Sequence, residues 1–312
     1  MNTSYKGEDV ALSLEHNKNL VYRFFTEGVT EGNLDIIDEV MDHDMMDHRL
    51  GFGNLSGTKG ERELYSGAFP KAFPDGRADK IALIAEGDDV FWMGWGSGTH
   101  SMGPFMGIEA SGKFLQWTAW DYFHVVDGKI VERWGTHAAL NRMHQMGAIT
   151  LPKPPHTERP VVAFSESTEK DRDHNKGLVW RFFQRVVNLR DLDAADEVMA
   201  PDVIDHRDDP APAGGTAAIK RTYAQYHESF PDYRALYRVM IADGNLVFWW
   251  GTAQGTHSGA PFMGQAPSGR HLSWNEMTLF RIADGKIVEM WAQHDEADLM
   301  RQLGNLPPGL AH

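Results

Sequence analysis

The chain contains no cysteine. Disulfides, iron–sulfur clusters, cysteine-ligated zinc and a thiol nucleophile are therefore excluded. It has no run of Lys or Arg and a formal charge of −14, so nothing would neutralise a phosphate backbone, and no nucleic-acid partner is expected. No apolar stretch is long enough to span a membrane, and the polar start from Met1 to His16 has no signal-peptide core. The expectation is a soluble, cytoplasmic protein with no membrane partner. Asp47, His48, His100 and His137 are suitable metal-ligand types, but no His-x-x-x-His or similar spacing joins them, and no metal is expected.

What is present is present twice. Asn17-Lys18-Asn19-Leu20-Val21-Tyr22-Arg23-Phe24-Phe25 returns as Asn175-Lys176-Gly177-Leu178-Val179-Trp180-Arg181-Phe182-Phe183, and Asp47-His48-Arg49 returns as Asp205-His206-Arg207. One residue is then lost. Beyond it Phe73-Pro74-Asp75 matches Phe230-Pro231-Asp232, Gly98-Thr99-His100 matches Gly255-Thr256-His257, and Asp127-Gly128-Lys129 matches Asp284-Gly285-Lys286. The period is too long for a solenoid, so each copy is a whole domain. A 312-residue chain with 42% hydrophobic residues can build two such cores. Pro152, Pro154, Pro155 and Pro160, followed by Ser165 to Lys170, read as an extended polar linker. The domains are placed at residues 1–155 and 174–312, with the linker at 156–173.

Within each copy, Leu20, Val21, Phe24, Phe25 and Val29 recur at helical spacing, as do Leu178, Val179, Phe182, Phe183 and Val187. A second short helix carries Ile36, Ile37, Val40 and Met41, and a third runs from about Glu61 to Phe73, where proline stops it. Strand formers follow: Val90 to Trp95, Gln116 to Val125, then Lys129 to Trp134 after an Asp-Gly hairpin turn. Helices first and antiparallel strands afterwards predict an α+β domain.

The order helix, helix, Asp-His, Phe-Pro-Asp, then Gly98-Thr99-His100, Phe105, Gly107 and Gly112-Lys113 resembles the SnoaL-like polyketide cyclases, within the NTF2-like superfamily. The second copy shows the same signature in Gly255-Thr256-His257, Phe262, Gly264 and Gly269-Arg270. The resemblance implies a curved antiparallel sheet wrapped around a long helix, a cone with an apolar pocket at its mouth. It implies cofactor-free acid–base chemistry on a small apolar ligand, and pairing of domains as an internal pseudo-dimer or a homodimer. Family members carry a His on the first strand of the last hairpin and an Asp directly after the hairpin's Trp. Those positions are Asp121 and Gly135 here, and Thr278 and Ala292 in the second copy.

Other residues are candidates for the chemistry. Asp121 alternates with Trp117, Ala119 and Phe123, and Glu276 sits among Trp274, Thr278 and Phe280, so each copy offers one carboxylate among aromatics. An apolar surround would raise its pKa and make it a general base; a pair with Arg133 across the hairpin would lower it instead. His48 and His206 are candidate proton donors at the pocket mouth. Trp117, Trp134, Trp274 and Trp291 could wall a flat ligand, and His100, His137, His257 and His294 are further candidate ligand contacts. Gly94, Gly96 and Gly98 alternate on a strand, which suggests a hollow or the close approach of another sheet. Pro104-Phe105-Met106 reads as a loop over that region. The function expected is a cofactor-independent isomerase, cyclase or hydrolase acting on a small apolar, polyketide-like or aromatic molecule. The alternative is a binding protein, or a chain in which one copy catalyses and the other is structural.

Overall fold

A computed structural model describes residues 4–49, 57–151, 158–207 and 214–305, with the side chains of the first helix described from Ser13 onward. Pro152, Pro154 and Pro155 of the expected linker lie outside the described residues. The chain divides into two compact units, with the division between Val161 and Val162.

In the first unit, helix α1 (Ser4–Arg23) runs into a π-helical stretch, Phe24–Thr30, followed by α2 (Ile36–Val40) and strand β1 (Met41–Asp47). Two short helices, α3 (Gly57–Ser66) and α4 (Ala68–Ala72), precede strands β2 (Arg77–Glu86), β3 (Asp89–Thr99), β4 (Phe114–Val126) and β5 (Lys129–Thr136). Helix α5 (Ala139–Met146) closes the unit. The second unit repeats this with α6 (Glu169–Arg181), a π-helical Phe182–Asn188, α7 (Ala194–Val198), β6 (Met199–Asp205), α8 (Thr216–Ser229), β7 (Arg234–Asp243), β8 (Leu246–Thr256), β9 (His271–Ala283), β10 (Lys286–His294) and α9 (Glu296–Leu303).

Each unit builds one five-stranded sheet, in the orders β1-β5-β4-β3-β2 and β6-β10-β9-β8-β7. All neighbours are antiparallel except β1 with β5 and β6 with β10, which are parallel. Both units are α+β cones of the NTF2-like type. The hairpin turns place Asp127 and Gly128 at φ 50° and 74°, the left-handed pair that a two-residue turn between twisted strands requires. The widened π-helical stretch lets adjacent residues face inward together: Phe24 and Phe25 are both buried, and Phe25 stacks on Trp92 at 4.4 Å.

Three sequence expectations change. The third helix begins four positions before Glu61 and breaks at Gly67, where a Cβ would lie 2.5 Å from the Glu63 carbonyl oxygen; the second copy, one residue shorter here, has the unbroken α8. The latter part of the expected linker is structured, since Thr168 caps α6 in a reciprocal capping box with Asp171, and Ser165 and Ser167 bond to Asn245 and Gly244. The small residues of β3 also serve a different purpose. A Cβ at Gly94 would fall 2.3 Å from the Trp92 indole, one at Gly96 2.3 Å from Trp117, and one at Gly98 3.2 Å from Phe73. The room they leave is taken by side chains of their own unit, and Gly96 also lines a pocket.

Candidate active site

The site in the first copy starts from the β4–β5 register. Asp121 stands directly opposite Gly135, the two positions that the resemblance assigns to a catalytic pair. A Cβ at 135 would lie 2.5 Å from Asp121 Oδ1, so the glycine leaves room for the carboxylate to reach residues on either side. Side chains at 133, 135 and 137 share a face. Arg133 Nε donates to Asp121 Oδ1 at 2.8 Å, and His137 Nε2 lies 3.1 Å from Oδ2.

A buried charge network continues from there. Arg133 Nη1 donates to Glu61 Oε2 and to the Tyr65 hydroxyl, each at 3.2 Å. Arg49 Nη2 donates to Glu61 Oε1 at 3.2 Å, and its Nε bonds Asp47 at 2.9 Å. Asp121 and Arg133 are fully buried and Glu61 nearly so. Three carboxylates thus face two arginines. Burial alone would raise Asp121, but Arg133 and His137 outweigh it and hold it well below the usual carboxylate range. The same contest, won by Arg49, lowers Asp47. Glu61 is where burial wins: it is pushed up to about 7 despite Arg49 and Arg133. Burial likewise pulls His137 below the ordinary histidine value, against the opposing charge of Asp121. Of the two readings of Asp121, the structure forms the ion pair with Arg133; the elevated carboxylate is not found.

His137 lines a narrow pocket, partly open to solvent, with about 50 Å³ of interior space. Phe25, Phe69, Phe105 and Trp117 supply apolar walls, and Gly96 and Ala119 keep the floor low. Phe105 belongs to the wall: it is buried, its backbone bonds reciprocally with Ile108, and it packs edge-on to Phe73 at 5.0 Å. Among the described residues no group of three or more His, Asp or Glu is placed to hold a metal ion.

The second copy keeps the histidine and moves the acid. Glu276 stands directly opposite His294 in the β9–β10 register, at the position of Ala119, and its carboxylate is 3.8 Å from His294 Nε2. That exceeds hydrogen-bond range, so the attraction is coulombic. Burial opposes the charge of both groups, yet Glu276 is lowered and His294 raised, each through the other. Thr278, Ile219 and Met290 replace Asp121, Glu61 and Arg133, while Asp205 and Arg207 keep their pair and Arg207 Nη1 donates to Tyr223 at 3.1 Å. Tyr233, standing where the first copy has Gly76, is buried, stacks on Tyr226 at 5.2 Å and reaches toward Glu276 at 3.5 Å. Glu276, with the Tyr233 hydroxyl beside it, therefore projects from the position that Ala119 leaves open to the pocket in the first copy.

The other candidates fall elsewhere. His48 stacks on Trp134 at 4.3 Å and His206 on Trp291 at 4.6 Å, with Glu132 and Glu289 beside them. Even-numbered β5 positions face away from Arg133 and His137, so His48 and Trp134 lie on the opposite side of the sheet from the pocket, as do their counterparts. His48 and His206 were expected at its mouth and Trp134 and Trp291 in its wall; strand alternation puts all four on the other face. His100 is fully buried with Nδ1 3.2 Å from Ser111 Oγ, and His257 repeats this with Ser268 at 3.4 Å, so both secure the loop before β4 or β9. Trp117 lines the pocket, and Trp274 packs on Phe230 and Phe262. The sequence reading missed Glu61, Arg49 and Arg142. A signal was available: each copy shows which of these positions tolerates an apolar residue, since Glu61 pairs with Ile219 and Arg142 with Leu299.

Solved structures similar to single copies include AclR, a putative hydroxylase from Streptomyces galilaeus, 26% identical over 44% of this chain and 84% of its own, TM-score 0.39. IdmH, a putative polyketide cyclase from Streptomyces antibioticus, is 29% identical over 42% and 98%, TM-score 0.37. TsrD from Streptomyces laurentii is 24% identical over 44% and 98%, TM-score 0.41. No curated protein matches. The family model for the SnoaL-like polyketide cyclases matches residues 19–146 and again 177–303. The chain therefore belongs to the SnoaL-like polyketide cyclase family, carrying its domain twice.

Proposed function

We propose that the first copy is a cofactor-independent acid–base enzyme of cyclase or isomerase type, acting on a small, flat, largely apolar substrate, and that His137 is its base. The observation that carries this is the His137–Asp121 pair, 3.1 Å apart, opening onto an aromatic-walled pocket. Asp121, held ionised, only accepts hydrogen bonds. It therefore takes the Nε2–H of His137 and leaves the basic lone pair on Nδ1. A neutral imidazole can remove a proton from carbon next to a carbonyl; the C–H electrons become an enolate, and Asp121 stabilises the imidazolium. The enolate then attacks a second carbonyl in the same molecule, whose oxygen takes the proton back from the His137 imidazolium, or is reprotonated by that imidazolium at another carbon. Asp121 is a positioning residue here, and Arg133 fixes it in turn.

For the second copy the filled volume favours a structural role. Glu276 and Tyr233 occupy the place where a substrate would sit. Pairing of copies, within one chain or between two, belongs to the same proposal and rests on the duplication; light scattering on the purified protein reads it.

Deuterium exchange into an aryl β-diketone, followed by proton NMR, tests the enzymatic reading. The wild type should accelerate exchange, and His137→Gln should lower the rate by about 10²–10⁴-fold while leaving the fold intact by circular dichroism. An unchanged rate in His137→Gln, or loss with Glu276→Gln instead, refutes it.

A further inference from the structure

In a chain of net charge −14, the wall of this pocket carries three arginines, Arg49, Arg77 and Arg142, and no carboxylate. Arg49 is committed to Asp47 and Glu61. Arg142, on α5, is not committed to any carboxylate among the described residues. Its Nε is buried with no hydrogen-bond partner, and the residue is 5% exposed. Its guanidinium lies over Phe105 at 5.2 Å and over Trp117 at 5.5 Å, both pocket walls.

A buried cation without a counter-charge is costly unless something else supplies the charge. Burial, helped by Arg49, lowers its pKa to about 10, which still leaves it cationic at neutral pH. The fold does not need it there: Leu299 occupies the equivalent position in the second copy and is buried in that core. The second copy also has a carboxylate, Glu276, where the first has Ala119. Arg142 is thus a feature of the open pocket alone. The aromatic rings beside it carry the guanidinium without neutralising it, and its paired N–H groups suit a planar acceptor side by side.

Resting on the pocket being a ligand site, we propose that Arg142 binds a carboxylate on the substrate, so that the first copy acts on a flat apolar acid and not on a neutral molecule. The ring system lies against Trp117 and Phe105, with the carboxylate at Arg142.

Isothermal titration of the full chain with 2-naphthoate and with its neutral isostere 2-naphthamide tests this. The wild type should bind the acid at least about tenfold more tightly than the amide, a difference of about 1.4 kcal/mol. Arg142→Leu should equalise the two by weakening only the acid, and Arg142→Lys should keep part of the preference. Arg142→Leu should melt no lower than the wild type, because it removes an uncompensated charge; if it fails to fold, Arg142→Gln replaces it. A pocket that binds both probes alike overturns the Arg142 assignment and leaves the pocket standing. A preference that survives Arg142→Leu, or vanishes only with Arg77→Ala, also overturns it. Binding of neither probe overturns both the assignment and the pocket as a site for flat ligands.

Discussion

The second copy supplies a ready design for removing charge from the first. Changing Arg133 alone to Met, the residue at 290, would strand Asp121 and Glu61 as buried carboxylates around a side chain that is fully buried. Breaking a buried pair in this way costs about 3–5 kcal/mol. For a domain of this size each kcal/mol is worth about 2–4 °C of melting temperature, so Arg133→Met should lower the first unit by about 10 °C. Asp121→Thr should be destabilising for the converse reason, because it leaves the buried Arg133 one carboxylate short, whereas Glu61→Ile leaves two carboxylates for two arginines and should cost less. If the first two effects added, the sum of roughly 6–10 kcal/mol would exhaust the stability of an ordinary domain. The triple variant Glu61→Ile/Asp121→Thr/Arg133→Met should nonetheless fold within about 2 kcal/mol of wild type, because replacing a whole ion cluster by apolar residues of similar size is near neutral. Asp47 and Arg49 keep each other, as Asp205 and Arg207 do. Hydrogen exchange read by mass spectrometry over β4 and β5 separates this unit from the other. A triple variant no more stable than Arg133→Met would refute the reasoning. Activity should be lost in the triple variant whatever its stability, because His137 loses Asp121.

The remaining predictions follow from the charges. Glu61 rises from an ordinary 4.5 to about 7 on folding, so its stabilising term is fully present below pH 4.5 and is lost as pH rises through 7. Glu61→Gln removes it, and urea titrations should show wild type losing up to about 3 kcal/mol relative to that variant over this range. His137 must be neutral to act and titrates below the ordinary 6.5, so kcat/KM should rise with pH with its midpoint below that of a free imidazole. Asp121→Asn should cut kcat by about 10²-fold or more, with the acid limb moving further down because the charge that raised His137 is gone. In the second copy Glu276 is lowered from 4.5 and His294 raised from 6.5. The carboxylate term is lost in acid and the imidazolium term in base, so protection of β9 amides should be greatest between those values and lose this dependence in Glu276→Gln.

Hydrophobic periodicity made the first helix and the last hairpin legible, and the duplication doubled each signal. Strands β1 and β2 were not legible, because Met41–Asp47 and Arg77–Glu86 are short on strand formers and are held by their neighbours in the sheet. Asp121 and His137 could be picked out as residues, but their meeting depends on Gly135 leaving room for a carboxylate, which no linear pattern states. His48 was placed at the mouth because the resemblance puts its segment there, yet on a strand the side of the sheet that receives Asp47 and Arg49 is denied to the residue between them. Glu61 and Arg142 lay hidden in helices whose charged residues normally face water, and only the apolar residues at their counterparts betray them.

The register of the last hairpin has a consequence for how such chemistry changes over time. One histidine, 137 or 294, is met by an acid from position 121 in one copy and from 276, a single step nearer along the neighbouring strand and longer by one methylene, in the other. The sheet offers a row of interchangeable sockets within reach of the same imidazole. A catalytic partner can migrate along that row by substitution alone, with no shift of backbone, and each move either vacates or plugs the chamber in front of the base.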